Sequence, residues 1–322
     1  MSINYRPWGD LVWLLSRLNS DKLNFYGCLS TEDRCLETYR LLCSNDSVSN
    51  AKFLEILDPH ETAVHVHNRN EIKNDLLAIN SSINIVQHKL LCPISEVYLS
   101  IKEFIKASNG KIVLDISSFP KRFFFPLVKL LVGDKSVSKL IVTYTTPKRY
   151  SSNDLSDSPM DWSHIPMFDN DDPDTIFSSA LIGLGFMPLG LSSLFRDKFS
   201  ELDIKLMFPF PPGSPFFQRT WKFIEDMQIN PKIDFKDILR VDAINISEIF
   251  DLILSISSRK EILIAPYGPK TMSLAMCLFA CLTNSPVYYS QPTTYDSKYS
   301  EGVDKCIGYC IKLNDQNLYT LK

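Results

Sequence analysis

Two short turns in this chain put proline and lysine between an apolar strand-like run and an apolar helix-like run. One lies in residues 111–131, KIVLDISSFPKRFFFPLVKLL, with Pro120 and Lys121. The other lies in residues 261–282, EILIAPYGPKTMSLAMCLFACL, with Gly268, Pro269 and Lys270. A helix N-terminus after a strand offers backbone N–H groups and the positive end of a dipole, which together favour an anion. A lysine there adds a full charge, and Gly268 lets the backbone approach closely. Gly268, Lys270 and Thr271, with Ser117, Ser118, Lys121 and Arg122, therefore form a candidate phosphate-binding set. The plainer alternative is that Pro120 and Pro269 start helices at N1 and the lysines are solvated. Asp115, at a strand end beside Ser117, is the candidate acid or base if the ligand is turned over; otherwise it caps the turn.

A second set lies where two further runs end, in TYTTPKRY and YYSQPTTYDSKYSEG. Lys148, Arg149, Tyr150, Tyr295, Lys298 and Tyr299 offer charges for phosphates and rings for stacking on a base. Ordinary exposed-loop chemistry is the competing reading.

The elements that must position these residues alternate. LNFYGCLS, AKFLEILDP, INIVQHKLL, KIVLDIS and KLIVTYTT read as strands, with helical patterns between them. Gly110 closes one helix as a C-terminal stop. Such alternation implies a mostly parallel sheet covered on both faces. A polar, acidic stretch without a period follows at 151–175 and reads as a linker. The same order then restarts with SSALIGLGF, IKLMFPFPPG, FKDILRVDAINIS, EILIAPYG and PVYYSQPTTY. The two Pro-Lys turns, Pro147 and Pro292, and Tyr150 and Tyr295 recur at nearly constant offsets. The expected architecture is α/β: two tandem Rossmann-like halves with mostly parallel sheets, at 21–150 and 176–322. An amphipathic N-terminal helix at 1–20 precedes them. It carries Trp8, Leu11, Leu15 and Leu18 on one face and is a candidate surface for a protein partner.

LIAPYGPKTMSLA resembles the strand–turn–Lys–helix motif of CARF domains, the Rossmann-like sensors of cyclic oligoadenylates in CRISPR-linked immunity. The likeness covers residues 265–275. Tyr267, Gly268 and Pro269 stand where that family has a Gly-Gly-Thr run, and LDISSFPKR echoes its Asp-x-Ser/Thr strand end with Asp115 and Ser117. The resemblance implies nucleotide sensing by paired domains and a place in a prokaryotic defence complex, as sensor or subunit.

The chain has 322 residues, 45% hydrophobic and 22% charged, which suits two globular domains. A net charge of −3 gives no global nucleic-acid signature. No signal peptide or membrane-length apolar run is evident, so a cytoplasmic location with eight reduced cysteines is expected. His65 and His67, in VHVH, share one side of an extended segment without further ligands. Cys277, Cys281, Cys306 and Cys310 have poor zinc-site spacing. Gly183, Gly185 and Gly190 miss the dinucleotide spacing, and neither a Walker A motif nor a nucleophile elbow occurs. Asp174 with Asp203 and Lys205 makes only a short echo of a nuclease pattern. No metal and no cofactor are expected. The expected function is binding of a nucleotide or other phosphorylated ligand in a cleft between the halves. The alternatives are a hydrolase or transferase acting on a nucleotide or nucleotide sugar in that cleft, and a structural subunit of a larger assembly.

Overall fold

The computed structural model describes residues 5–18, 22–151, 155–169, 177–185, 190–199, 201–210, 221, 222, 225, 238–257 and 262–321. In chain order the elements are β1 (Trp8–Asp10), α1 (Leu11–Arg17), β2 (Leu23–Leu29), a 3-10 turn (Asp33–Leu36), α2 (Glu37–Ser44), β3 (Val48–Leu57), α3 (Ala63–Ile79), β4 (Asn84–Lys89), α4 (Ile94–Ala107), β5 (Lys111–Asp115), α5 (Lys121–Gly133) and β6 (Lys139–Tyr150). There follow β7 (Ser156–Pro159), β8 (Ser163–His164), β9 (Ser179–Gly183), α6 (Leu191–Leu194), β10 (Asp203–Pro209), β11 (Ile238–Val241), α7 (Ile246–Ser257), β12 (Ile262–Pro266) and α8 (Lys270–Thr283). The chain closes with β13 (Tyr288–Tyr289), β14 (Pro292–Tyr295), β15 (Ser300–Leu313) and β16 (Gln316–Asn317).

Two compact units result. The first comprises Met1–Asp157 and Thr293–Leu318, the second Ser158–Pro292 and Tyr319–Lys322. The first unit is built on a sheet ordered β1-β15-β6-β5-β2-β3-β4, with β16 beside β15. Strands β2 to β6 are parallel, while β15 runs antiparallel to both β6 and β1. All seven residues of β2 are buried, as expected of a parallel strand covered on both faces. Phe25 of β2 packs its ring 5.1 Å from Phe53 and 5.4 Å from Tyr39, so β2, β3 and α2 share one core. The chain leaves β2 toward β3 and β4 on one side, then returns to place β5 and β6 on the other. That reversal puts a crevice at the carboxyl ends of β2 and β5.

The second unit has a parallel sheet ordered β11-β10-β9-β12, and a parallel bridge from Ile264 to Val287 continues it past β12. Its reversal lies between β9 and β12. The core there includes Ala180, Ile182, Leu206, Leu263, Ala265 and Tyr267. Helix α8 is buried from Thr271 through Ala280.

Four elements differ from their sequence reading. Thr293–Leu318, assigned by pattern to the second half, belongs to the first unit because β15 pairs along most of β6. The supposed linker carries β8, which pairs antiparallel with β13 in the second unit. The N-terminal segment is a helix preceded by a short strand on β15, with Leu11, Leu14 and Leu15 buried in the first unit's core. VHVH is helical rather than extended: Thr62 and His65 form a capping box at the start of α3. No helix among the described residues is long and apolar enough to cross a membrane.

Candidate functional site

The β5–α5 turn holds itself in place. Asp115 is 1% exposed, and its Oδ1 accepts from the Ser117 amide at 3.0 Å and the Ser117 hydroxyl at 2.5 Å. Ser117 Oγ accepts in turn from the Thr145 amide of β6 at 2.8 Å. Ser118 Oγ donates to the Cys28 carbonyl of β2 at 2.8 Å, which ties β5's exit to β2 across the crevice. The geometry gives Asp115 the turn-capping role. Its carboxylate is buried, and its Oδ1 is engaged by Ser117. Pro120 is the N-cap of α5 rather than N1, and Lys121 and Arg122 open the helix partly buried.

Beside this turn lies an arrangement the sequence did not announce. Arg34 and Glu32 are paired at 2.8 Å, with side chains only 2% and 10% exposed. Arg34 Nη1 also donates to the Thr145 carbonyl at 2.9 Å, and its guanidinium lies 5.6 Å from the Tyr144 ring centre. The Ser300 hydroxyl of β15 donates to Glu32. A bulge between Val303 and Cys306 bends the β6–β15 ribbon, and the Tyr150 hydroxyl lies 3.1 Å from that of Tyr144. Burial, then Tyr144, raises the Tyr150 phenol well above its ordinary value. Tyr150 thus lies at the carboxyl end of the sheet, half-buried, as a neutral phenol. Lys148 and Arg149 remain exposed on the ribbon. Arg149 is paired with Glu301 at 2.7 Å, and the Tyr295 carbonyl accepts from His65 Nε2 at 2.8 Å.

Two more clusters line the same edge of the first sheet. At the end of β3, buried Glu55 and partly buried Glu61 both bind Arg69 of α3. The guanidinium makes a two-pronged contact with Glu61 at 2.5 and 2.6 Å and a third bond to Glu55 at 3.0 Å. Lys73 and Gln87 complete the shell around Glu55. Asp58 sits beside this network. Burial, then the negative Glu61, pushes its carboxyl up from 3.8 to about 6. At the end of β4, His88, Cys92 and Glu96 bring three possible metal-ligand atoms within 4.8 Å of one another. Arg122 Nη2 donates to the Cys92 carbonyl at 3.3 Å, so that predicted residue belongs beside this cluster.

In the second unit, the turn after β12 is set by two close backbone approaches. A Cβ on Gly268 would meet Met272 Cε at 1.8 Å and the Leu184 carbonyl at 2.9 Å. A Cβ on Gly185 would meet the Tyr267 carbonyl at 2.4 Å. The turns after β9 and β12 therefore touch where the strand order reverses. Pro269 is the N-cap of α8, Lys270 its first residue and half-buried, and Thr271 is 2% exposed. Gly185 was noted in the sequence only for its failure to match a dinucleotide motif.

The remaining sequence patterns bring no site together. His67 pairs with Glu71 on exposed α3, and all eight cysteines are free thiols. Cys277, Cys281, Cys306 and Cys310 form no metal-ligand cluster among the described residues. Asp203 pairs with Lys205 at 3.4 Å, and Asp174 lies outside the described residues.

No family model matches the chain, and no curated protein matches it either. Among solved structures, the chain is similar at 9% identity to the cytoplasmic domain of a prokaryotic cation chloride cotransporter. The alignment covers 84% of this chain and 96% of that one, with a TM-score of 0.23.

Proposed function

We propose that this protein binds a nucleotide or another phosphorylated ligand at the carboxyl edges of two Rossmann-like halves. The observation that carries the reading is a shared construction. In each unit the strand on the far side of the order reversal, β5 or β12, runs straight into a proline N-cap and a lysine that opens a long buried helix. The strand orders β6-β5-β2-β3-β4 and β12-β9-β10-β11 are those of doubly wound folds, in which ligands bind at that reversal. Helix N-termini with lysine suit an anion there. The partial likeness of residues 265–275 to CARF domains makes cyclic oligoadenylate the first ligand class to try, and a sensor or subunit of a defence complex the first biological setting.

Binding rather than turnover is favoured by the buried, capped state of Asp115. The test is thermal unfolding of the purified protein against cyclic oligoadenylates, linear nucleotides and nucleotide sugars, with product analysis on the same samples. A stabilising ligand whose effect is lost in Lys121→Ala and Lys270→Ala supports the reading. Turnover of the ligand would move the assignment to an enzyme.

A further inference from the structure

From the cluster at the end of β4 we infer a binding site for a thiophilic divalent cation of the zinc type, with His88, Cys92 and Glu96 as ligands. The donors are one nitrogen, one sulfur and one oxygen, the set that zinc accepts and that magnesium and calcium do not. Their spacing is local, His-x3-Cys-x3-Glu, and the backbone fixes it. The Cys92 amide donates to the Lys89 carbonyl at 3.0 Å, and the Glu96 amide to the Pro93 carbonyl at 3.1 Å. These turns carry the chain from β4 into the first turn of α4, bringing the three ligand atoms within 4.8 Å of one another. His88 Nδ1 and Glu96 Oε2 are 3.4 Å apart. That is long for a hydrogen bond to a carboxylate, but about the edge of a tetrahedron with metal bonds near 2.1 Å.

The imidazole supplies an independent sign. His88 is only 8% exposed, and its Nδ1 has just the long contact with Glu96. A buried polar atom with so weak a partner costs free energy, and coordination through Nδ1 supplies the strong partner that this nitrogen lacks. Cys92 is buried and free. Glu96 is 53% exposed at its side chain, so it can close over the ion from solvent. Three protein ligands leave a fourth position for water or a ligand oxygen.

The experiment is titration of the metal-stripped, reduced protein with Co2+, read by absorption, followed by displacement with Zn2+. One equivalent of cobalt should give a thiolate-to-cobalt charge-transfer band with tetrahedral visible bands, and zinc should abolish both. Cys92→Ser should lose the charge-transfer band. His88→Gln should weaken binding by more than the roughly 10–100-fold typical of a second-shell loss. Glu96→Gln, on an exposed side chain, tests the third ligand without threatening the fold and should also weaken binding. Circular dichroism of each metal-free variant checks folding. Absence of a charge-transfer band in the folded wild type, or its survival at full intensity in folded Cys92→Ser, would overturn the assignment.

Discussion

Replacing Arg34 with methionine tests whether the first unit depends on the ion pair buried beside its crevice. The change leaves Glu32 without its cation, 10% exposed at the side chain and hydrogen-bonded only through Ser300 among the partners described above. It also removes the guanidinium bond to the Thr145 carbonyl. Breaking a buried pair on one side costs about 3–5 kcal/mol, because an uncompensated charge remains in a low-dielectric site. That is a large share of the roughly 5–15 kcal/mol by which domains are stable. Arg34→Met combined with Glu32→Gln removes both charges and keeps similar volume, and should recover all but about 1 kcal/mol. Urea unfolding of the wild type, both single variants and the double variant gives the coupling energy, expected above about 2 kcal/mol. A single-variant cost under about 1 kcal/mol, or costs that simply add, would refute the reasoning.

Three further outcomes follow from the geometry. Asp58 binds its proton more tightly folded than unfolded, so its contribution to stability is fully present below pH 3.8 and is lost as pH rises toward about 6. Asp58→Asn should therefore stabilise the protein at pH 7, by at most roughly 3 kcal/mol, and the gain should vanish near pH 3.8 in pH-dependent urea melts. Gly185→Ala should destabilise the second unit by about 1–3 kcal/mol, and more than Gly268→Ala. Its new methyl meets the rigid Tyr267 carbonyl, whereas at Gly268 the nearest atom is the movable end of Met272; thermal melts of both variants check the order. Asp134, held near 2 by its hydrogen bond from Lys102, should lend stability that is lost as pH falls through its folded value. The pair is only partly buried, with side chains 32% and 15% exposed, so Lys102→Met should cost about 1 kcal/mol or less and the cost should shrink in added salt.

The strands were legible because parallel strands buried on both faces read as unbroken apolar runs: LNFYGCL, KIVLD, SALIG and ILIAP are β2, β5, β9 and β12. The Pro-Lys turns were legible for the same reason, as interruptions between two apolar runs. What β15 pairs with was not, since a strand's own pattern does not name its neighbour, and the long connection from β6 to β15 hid the partnership. VHVH alternates like a strand, yet the capping exchange between Thr62 and His65 starts a helix there. The Glu32–Arg34 and Glu55–Arg69 pairs were invisible because each residue type is common on surfaces. Only the approach of β6, β15 and α3 buries them. His88, Cys92 and Glu96 were close enough in sequence to be noticed, but their periodicity of four straddles a strand, a turn and a helix, so no single-element pattern displayed it.

The measurement that tests the central claim most directly is calorimetric titration of a cyclic oligoadenylate into the wild type, Lys121→Ala and Lys270→Ala at low salt. Binding is expected in the wild type. Each lysine removed should weaken it by at least about tenfold, the scale of one charge-assisted hydrogen bond of roughly 1.5–3 kcal/mol. No heat of binding from this ligand or from the other nucleotides and nucleotide sugars, or equal affinity in all three proteins, would contradict a phosphate site at the two turns.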